Sequence, residues 1–259
     1  MLSDIDEWLL PGERLDDLLT HDLRIIQSHE VFSFSMDAVL LSRFAAMPAR
    51  GKVLDLCTGN GVIPLLLSTR TKAAIDGVEI QPRLADMARR SVRLNGLHER
   101  VTIYEGDLRT FHRQSGYGAY DAVTVNPPYL AITGGDRNIN KHVEAARHEM
   151  HGTLEEIVDA CARLVKSGGK VAMVHRPSRL IEIIDSFKRA RLEPKRIRFV
   201  HPYAESAANM VLFEAMRDAK PDVKVLPPLI VYNSKKEYNA ELMHIYYGDN
   251  PAGKKDHEG

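Results

Sequence analysis

The chain has 259 residues, 44% of them hydrophobic and 27% charged, and its 35 basic side chains are balanced by 35 acidic ones. That length suits one large α/β domain or two small ones, and zero net charge excludes a polycation, so any nucleic-acid contact must come from a local patch. Two isolated cysteines, Cys57 and Cys161, supply neither a disulfide framework nor a structural zinc site and suit a reducing compartment.

In chain order, residues 1–48 stand outside the later rhythm and are expected to form an extension packing on the site. Within it Asp22–Gln27 and Val31–Phe34 read as short strands and Asp37–Ala46 as a helix capped by Ser35. From about Gly51, short apolar runs alternate with amphipathic stretches, which is the pattern of βαβ units on a parallel sheet. Strands are expected at Lys52–Leu56, Ala73–Ile80, Val101–Glu105, Ala119–Val125, Lys170–His175, Pro194–His201 and Asn209–Met216. Helices are expected at Val62–Thr69, Pro82–Asn95, Leu154–Lys166 and Arg179–Ala190. Pro202–Ala208 is too short for a crossover helix, so the last two strands should run antiparallel. The fold class is therefore α/β, a doubly wound, Rossmann-like seven-stranded sheet with helices on both faces, occupying residues 49–218. Residues 219–248 are expected to form a C-terminal segment in which Leu229–Asn233 and Met243–Tyr247 read as extended, and the polar residues 249–259 are expected to be a disordered tail. The start lacks a signal pattern, and no apolar run approaches the roughly 18 residues of a membrane span, so a soluble, cytoplasmic protein is expected.

The chemistry concentrates where these strands end. Asn126-Pro127-Pro128-Tyr129 follows the fourth strand, and its two prolines fix φ and remove two N–H donors. The Asn126 amide oxygen and the Pro127 carbonyl become stiff acceptors beside an aromatic ring, a fit for a planar group bearing NH2. Alone, the tetrapeptide reads equally well as a proline-rich turn. After the first strand, Gly59 and Gly61 allow close ligand approach. Pro64 breaks a dinucleotide fingerprint, and no phosphate-binding loop of the triphosphatase type is present. Asp55 ahead of those glycines would repel a pyrophosphate and attract an ammonium or sulfonium. Glu79 closes the second strand, placed for ribose hydroxyls, and Asp107 closes the third, placed for an adenine amino group. Each acid alone is more often a cap or a solvated loop residue. Together with Asn126 they mark the ends of four successive strands, the edge at which open α/β sheets bind ligands.

The pattern D-x-x-x-G-x-G, acid, acid, N-P-P-Y resembles class I S-adenosylmethionine-dependent methyltransferases acting on planar nitrogen. With Phe32-Ser33-Phe34-Ser35-Met36-Asp37-Ala38-Val39-Leu40-Leu41 and Ala146-Arg147-His148-Glu149, the stretch from about Leu15 to Met216 is similar to the small-domain methyltransferases of the tRNA1(Val) adenine-N6 group. Cys57 departs from it, because the family usually carries glycine there. The resemblance implies S-adenosylmethionine as cofactor, S-adenosylhomocysteine as product and no metal. It implies Asn126, Pro127, Pro128 and Tyr129 as the methyl-acceptor clamp. Cofactor contacts are expected from Asp37, Asp55, Cys57, Gly59, Asn60, Gly61, Glu79, Ile80, Asp107, Leu108 and Asn126. For Asp37, a charge offsetting the helix dipole is the competing reading.

The substrate is less legible. Between Lys170 and Phe199 nine basic residues face three acids, a cluster suited to phosphates or to a solvated helix face. Lys235, Lys236, Lys254 and Lys255 could extend it. Substrate contacts are expected at Tyr129, Arg147, Lys188, Arg189, Lys195 and Arg196. His175 reads as a buried histidine, Cys161 as core, and Trp8 carries no assignment. The leading function is methyl transfer to the N6 amine of an RNA adenosine, with tRNA as the partner and neither a membrane nor an obligate protein partner. The resemblance points to the anticodon loop. A protein-glutamine methyltransferase, a DNA-adenine or guanine-N2 enzyme and a non-catalytic RNA-binding protein are the alternatives.

Overall fold

The computed structural model describes residues 8–29, 35–128 and 152–247. The expected strand Val31–Phe34 and the tail lie outside them.

Strands β3 (Lys52–Leu56), β4 (Ala74–Glu79), β5 (Val101–Glu105) and β6 (Tyr120–Val125) are mutually parallel in the order β5-β4-β3-β6. Their apolar runs are nearly continuous because both faces are covered. Val53 and Ala122 point into one core, and Leu54, Leu56, Val123 and Val125 point into the other. The first core is closed by helices α1 (Met36–Phe44), α2 (Val62–Ser68) and α3 (Pro82–Leu94). After the short α4 (His112–Ser115), the second is closed by α5 (Leu154–Leu164) and α6 (Leu180–Arg189). Pro82 opens α3, where a missing N–H costs nothing, and Gly96 (φ 65°) follows its Asn95 cap. Thr153 and Glu156 form a reciprocal capping box on α5.

Beyond β6 come β7 (Val165–His175), β9 (Met210–Arg217) and β8 (Leu192–His201), with β9 antiparallel to both neighbours. The expected antiparallel end of the sheet is therefore present, and β3 to β8 all finish on one edge. Two features differ from expectation. Two-residue strands β10 (Lys224–Val225) and β11 (Leu229–Ile230) add to β8, so the sheet has nine strands instead of seven. The stretch expected to continue α5 to Lys166 turns into β7 already at Val165, with a register shift opposite Tyr120–Ala122. Gly168 (φ 75°) and Gly169 accommodate that bulge: a Cβ on Gly169 would lie 2.9 Å from the Lys166 carbonyl oxygen.

The flanks are more ordered than their polarity suggests. β1 (Glu13–Asp17) and β2 (Arg24–Ser28) form an antiparallel ribbon laid on α3. Ile26 packs with Leu84 and Met87 under Trp8, and the Ile26 N–H donates to Ser91 Oγ at 3.0 Å. Met243–Tyr247, expected to be extended, belongs instead to helix α7 (Ala240–Tyr247). Leu242, Ile245 and Tyr246 recur at i, i+3 and i+4, so a helix buries all three against the first core, whereas a strand would split them between two faces. Among the described residues no helix is long and apolar enough to cross a membrane.

Candidate active site

Each parallel strand releases its chain at the same edge, and the register puts Leu56 beside both Val78 and Val125, and Glu79 beside Glu105. The residues that follow these ends are therefore neighbours in space. Cys57, Glu79, Ile80, Asp107 and Leu108 line one shallow, open cleft with Val78 and Gly106.

The loop after β3 is held by buried polar bonds. Asp55 has no exposed surface; Thr58 Oγ1 donates to its Oδ2 and Thr124 Oγ1 to its Oδ1, both at 2.6 Å. Its carboxyl pins the loop to β6, and burial pushes its pKa up to about 7 against those two hydroxyls, with the Glu79 charge adding to the rise. The Asn60 side chain, 3% exposed, donates to the Ile26 carbonyl at 3.1 Å and ties the loop to the N-terminal ribbon. Asp55 and Asn60, expected as direct cofactor contacts, therefore have side chains turned inward, because a buried polar group must find a protein partner.

Cys57 and Gly59 both take left-handed backbone, φ 56° and 57°, and Gly61 follows at φ 91°. This accounts for the glycine usual at the Cys57 position: a side chain is strained there. A Cβ on Gly61 would meet the Ala88 Cβ at 3.1 Å, so α2 and α3 come together only over a bare backbone. Gly77 in β4 is just as tight, because a Cβ would lie 2.7 Å from Ile103 Cδ1 and 3.0 Å from Thr58 Oγ1.

Glu79 accepts the Gly59 N–H at 2.8 Å and the Gln81 N–H at 2.9 Å. Burial raises its pKa, and these N–H donors oppose the rise. Asp107 is desolvated too, but the Arg109 guanidinium, 2.6 Å away, and the Arg109 N–H hold its carboxyl below the usual range. The Cys57 thiol is pushed far up, first by burial and then by the charges of Glu79 and Asp55. Acidic groups crowd this edge, and a cation placed among them would relieve their mutual repulsion.

On β6, Asn126 is half-buried, Pro127 buried and Pro128 exposed, immediately beyond the strand that carries Thr124. Asp37 lies in the first turn of α1, its pKa raised by burial and countered by its own N–H, the Ser35 hydroxyl and the Arg176 charge from the end of β7. Tyr129 and Arg147 lie outside the described residues, as do His148 and Glu149.

The basic cluster needs correction. Lys188 and Arg189 are in the last turn of α6, and Lys195 and Arg196 fall early in β8, so all four lie away from the edge at which the parallel strands end. Arg196 binds the buried Glu214 at 2.8 Å, donates to the Phe44 carbonyl and covers the Phe44 ring. Arg189 pairs with Glu155 at 3.0 Å, and Lys195 reaches the Lys220 carbonyl. Sequence proximity to β7 is not proximity to the site, because α6 carries the chain back across the sheet.

Thr58, Thr124 and Gly77 were not legible as site residues. Thr58 sits inside the glycine motif, but Thr124 meets Asp55 only through strand pairing, and a threonine in a buried strand carries no signal of its own.

The profile of the methyltransferase small domain matches residues 22–190, well over half of the chain. The chain belongs to the methyltransferase small-domain family. Among relatives of this methyltransferase, the tRNA1(Val) (adenine(37)-N6)-methyltransferase of Aeromonas hydrophila is 33% identical over 53% of the chain. That match covers only 57% of the relative, little more than half its length. The protein of the same name from Porphyromonas gingivalis is 27% identical over 81% of the chain and 85% of its own. A predicted O-methyltransferase from Agrobacterium tumefaciens superposes with a TM-score of 0.66 at 22% identity, covering 82% of the chain and 95% of its own. P. horikoshii TYW2, solved with MeSAdo, gives 0.57 at 16% identity, over 81% and 73%. At these identities the two structures speak for the fold, and the doubly wound sheet is theirs as well.

Proposed function

We propose that this methyltransferase transfers the methyl group of S-adenosylmethionine to the exocyclic N6 of an adenosine in RNA, with tRNA as the substrate class. The observation that carries the reading is the placement of Asn126-Pro127-Pro128 at the end of β6, next in the sheet to the glycine loop after β3. The names carried by the Aeromonas and Porphyromonas relatives support tRNA adenine-N6 as the acceptor.

The chemistry of the cleft's lining suits the cofactor. Val78, Ile80 and Leu108 offer apolar walls to a purine, Asp107 an acceptor at its end, and Glu79 a carboxylate already fixed by two N–H donors for ribose hydroxyls. Bound there, the cofactor supplies an electrophilic methyl group on a cationic sulfur. The acidic edge favours that positive charge over the neutral thioether left after transfer.

The protein's part is chiefly positioning. An adenine amine is a poor nucleophile because its lone pair is delocalised into the ring. Asn126 Oδ1 and the Pro127 carbonyl accept its two N–H bonds and draw the nitrogen toward tetrahedral geometry, which localises the lone pair on the face toward the methyl group. Two prolines keep those acceptors from relaxing, so the alignment is fixed before reaction. The methylated nitrogen is acidic and loses its proton without a dedicated base. An aromatic ring next in sequence, as Tyr129 supplies, suits stacking on the base.

The test is tritium transfer from labelled S-adenosylmethionine to tRNA, total protein and DNA prepared from a deletion strain. Label in tRNA adenosine, lost in Asn126→Ala with cofactor binding nearly intact, is expected. Label in protein alone would replace this reading with amide methylation.

A further inference from the structure

The rim that carries the clamp also carries a row of tyrosines that methyl transfer does not use. Tyr203 lies just past the end of β8, Tyr232 and Tyr238 face each other across an antiparallel bridge, and Tyr246 is in α7. Their centroids are 5.4 Å apart from Tyr203 to Tyr232, 5.3 Å from Tyr232 to Tyr238 and 6.5 Å from Tyr238 to Tyr246, the last two pairs with planes within 18° and 11° of parallel. Tyr232 and Tyr246 rest on the first core, whereas Tyr238 is 48% exposed. The backbone beneath is fixed: the Tyr232 N–H donates to the Pro202 carbonyl, that of Asn233 to the Glu237 carbonyl and that of Asn239 to the Val231 carbonyl, each at 2.8–2.9 Å.

Two observations select the occupant. The turn joining Tyr232 to Tyr238 presents exposed Lys235 and Lys236, neither of which forms an ion pair among the described residues, while Glu237 is engaged by Asn233 Nδ2 at 3.0 Å. The row is also continuous with the site: β8 is third in line from β6, about 14 Å across at about 4.8 Å per strand spacing. Tyr246 is near enough to Asp37 to feel its charge. A ligand that is flat and aromatic at short intervals, anionic between them and long enough to reach the clamp matches all of this.

The geometry points to a base-stacking platform for the unpaired nucleotides that flank the methylated adenosine, with Tyr238, the half-exposed ring between Tyr232 and Tyr246, as its accessible surface and Lys235 and Lys236 on the phosphates. It rests on the RNA reading above and deepens it: the acceptor is a single-stranded loop, gripped beside the target base as well as at it. Tyr238 is a binding residue and takes no part in the chemistry.

The test measures RNA Kd by anisotropy with unmodified tRNA, KM and kcat for methyl transfer, and cofactor affinity by calorimetry. Tyr238→Ala is expected to raise both RNA Kd and KM about tenfold, the loss of one base–aromatic stack, with kcat and cofactor affinity unchanged. Tyr238→Phe, which keeps the ring, should match the parent. The double variant Lys235→Ala/Lys236→Ala should flatten the salt dependence of RNA binding. If the parent binds tRNA and Tyr238→Ala binds it equally well, the platform is overturned and the RNA reading stands. If the parent binds no RNA and methylates protein, both fall.

Discussion

Replacing Asp55 with asparagine should change how stability depends on pH. In the folded chain this carboxyl is fully buried, and burial raises its pKa from 3.8 to about 7. A carboxyl with a raised folded pKa contributes its stability in full below the unfolded pKa. That contribution is lost as pH rises, because the unfolded chain ionises first, and the loss levels off once the folded group ionises near 7. The gap corresponds to about 4 kcal/mol at about 1.4 kcal/mol per pK unit, an upper magnitude for a group whose two hydroxyl partners can reorient. Asparagine keeps the shape and both bonds: Oδ1 accepts from one threonine, and Nδ2 donates to the other after its hydroxyl rotates. Urea unfolding of parent and variant without cofactor, between about pH 5 and pH 8, isolates the effect, since other titrating groups cancel in the difference. The variant should gain on the parent from about pH 5 up to about pH 7 and hold that gain, without adding to it, toward pH 8. A difference that stays constant with pH would refute the claim that Asp55 is neutral through the lower part of it.

Three further outcomes probe the same frame. Cys57→Val should cost about 2 kcal/mol or more, because a β-branched residue is poorly accommodated at positive φ, whereas Cys57→Gly should cost less than about 1; equal losses in thermal melts would show that backbone strain is not what matters at this position. Gly77→Ala should destabilise by about 1–3 kcal/mol and weaken cofactor binding as well, by pushing on Thr58 and hence on Asp55; calorimetric affinity unchanged from the parent would break that link. Arg196→Ala leaves Glu214, only 3% exposed, without its cation and should lower stability by about 3 kcal/mol while leaving the RNA Kd of the folded protein intact; a large rise in that Kd would return Arg196 to the substrate surface.

Strand ends are a local property, and they carried most of what could be read in advance. Val53, Leu54 and Leu56 make a strand because they are apolar in a short run, and Gly59 and Gly61 end it because only a bare backbone follows that turn easily. The parallel sheet, its antiparallel finish and the shared edge of Glu79, Asp107 and Asn126 follow from such runs and from the lengths between them. Helix α7 was misread because Met243–Tyr247 is short enough for its apolar spacing to suit either element, and only the surface that Leu242, Ile245 and Tyr246 cover distinguishes them.

The tertiary structure alone decided which charged and polar groups at this edge are held by partners from distant parts of the chain. Asp55 meets Thr124 across 69 residues of sequence, and Arg196 meets Glu214 across 18, through strand pairings that no local pattern encodes. Buried and bonded, Asp55 and Glu214 keep these partners, since an unpartnered buried charge is too costly to keep. The row of tyrosines has the same origin: Tyr203, Tyr232, Tyr238 and Tyr246 are scattered over the chain and share a surface only because β8, β11 and α7 end beside one another. The sequence by itself determined the seven core strands, their order along the chain and the edge where they end. The side-chain partners at that edge came from long-range pairing, which only the folded chain displays.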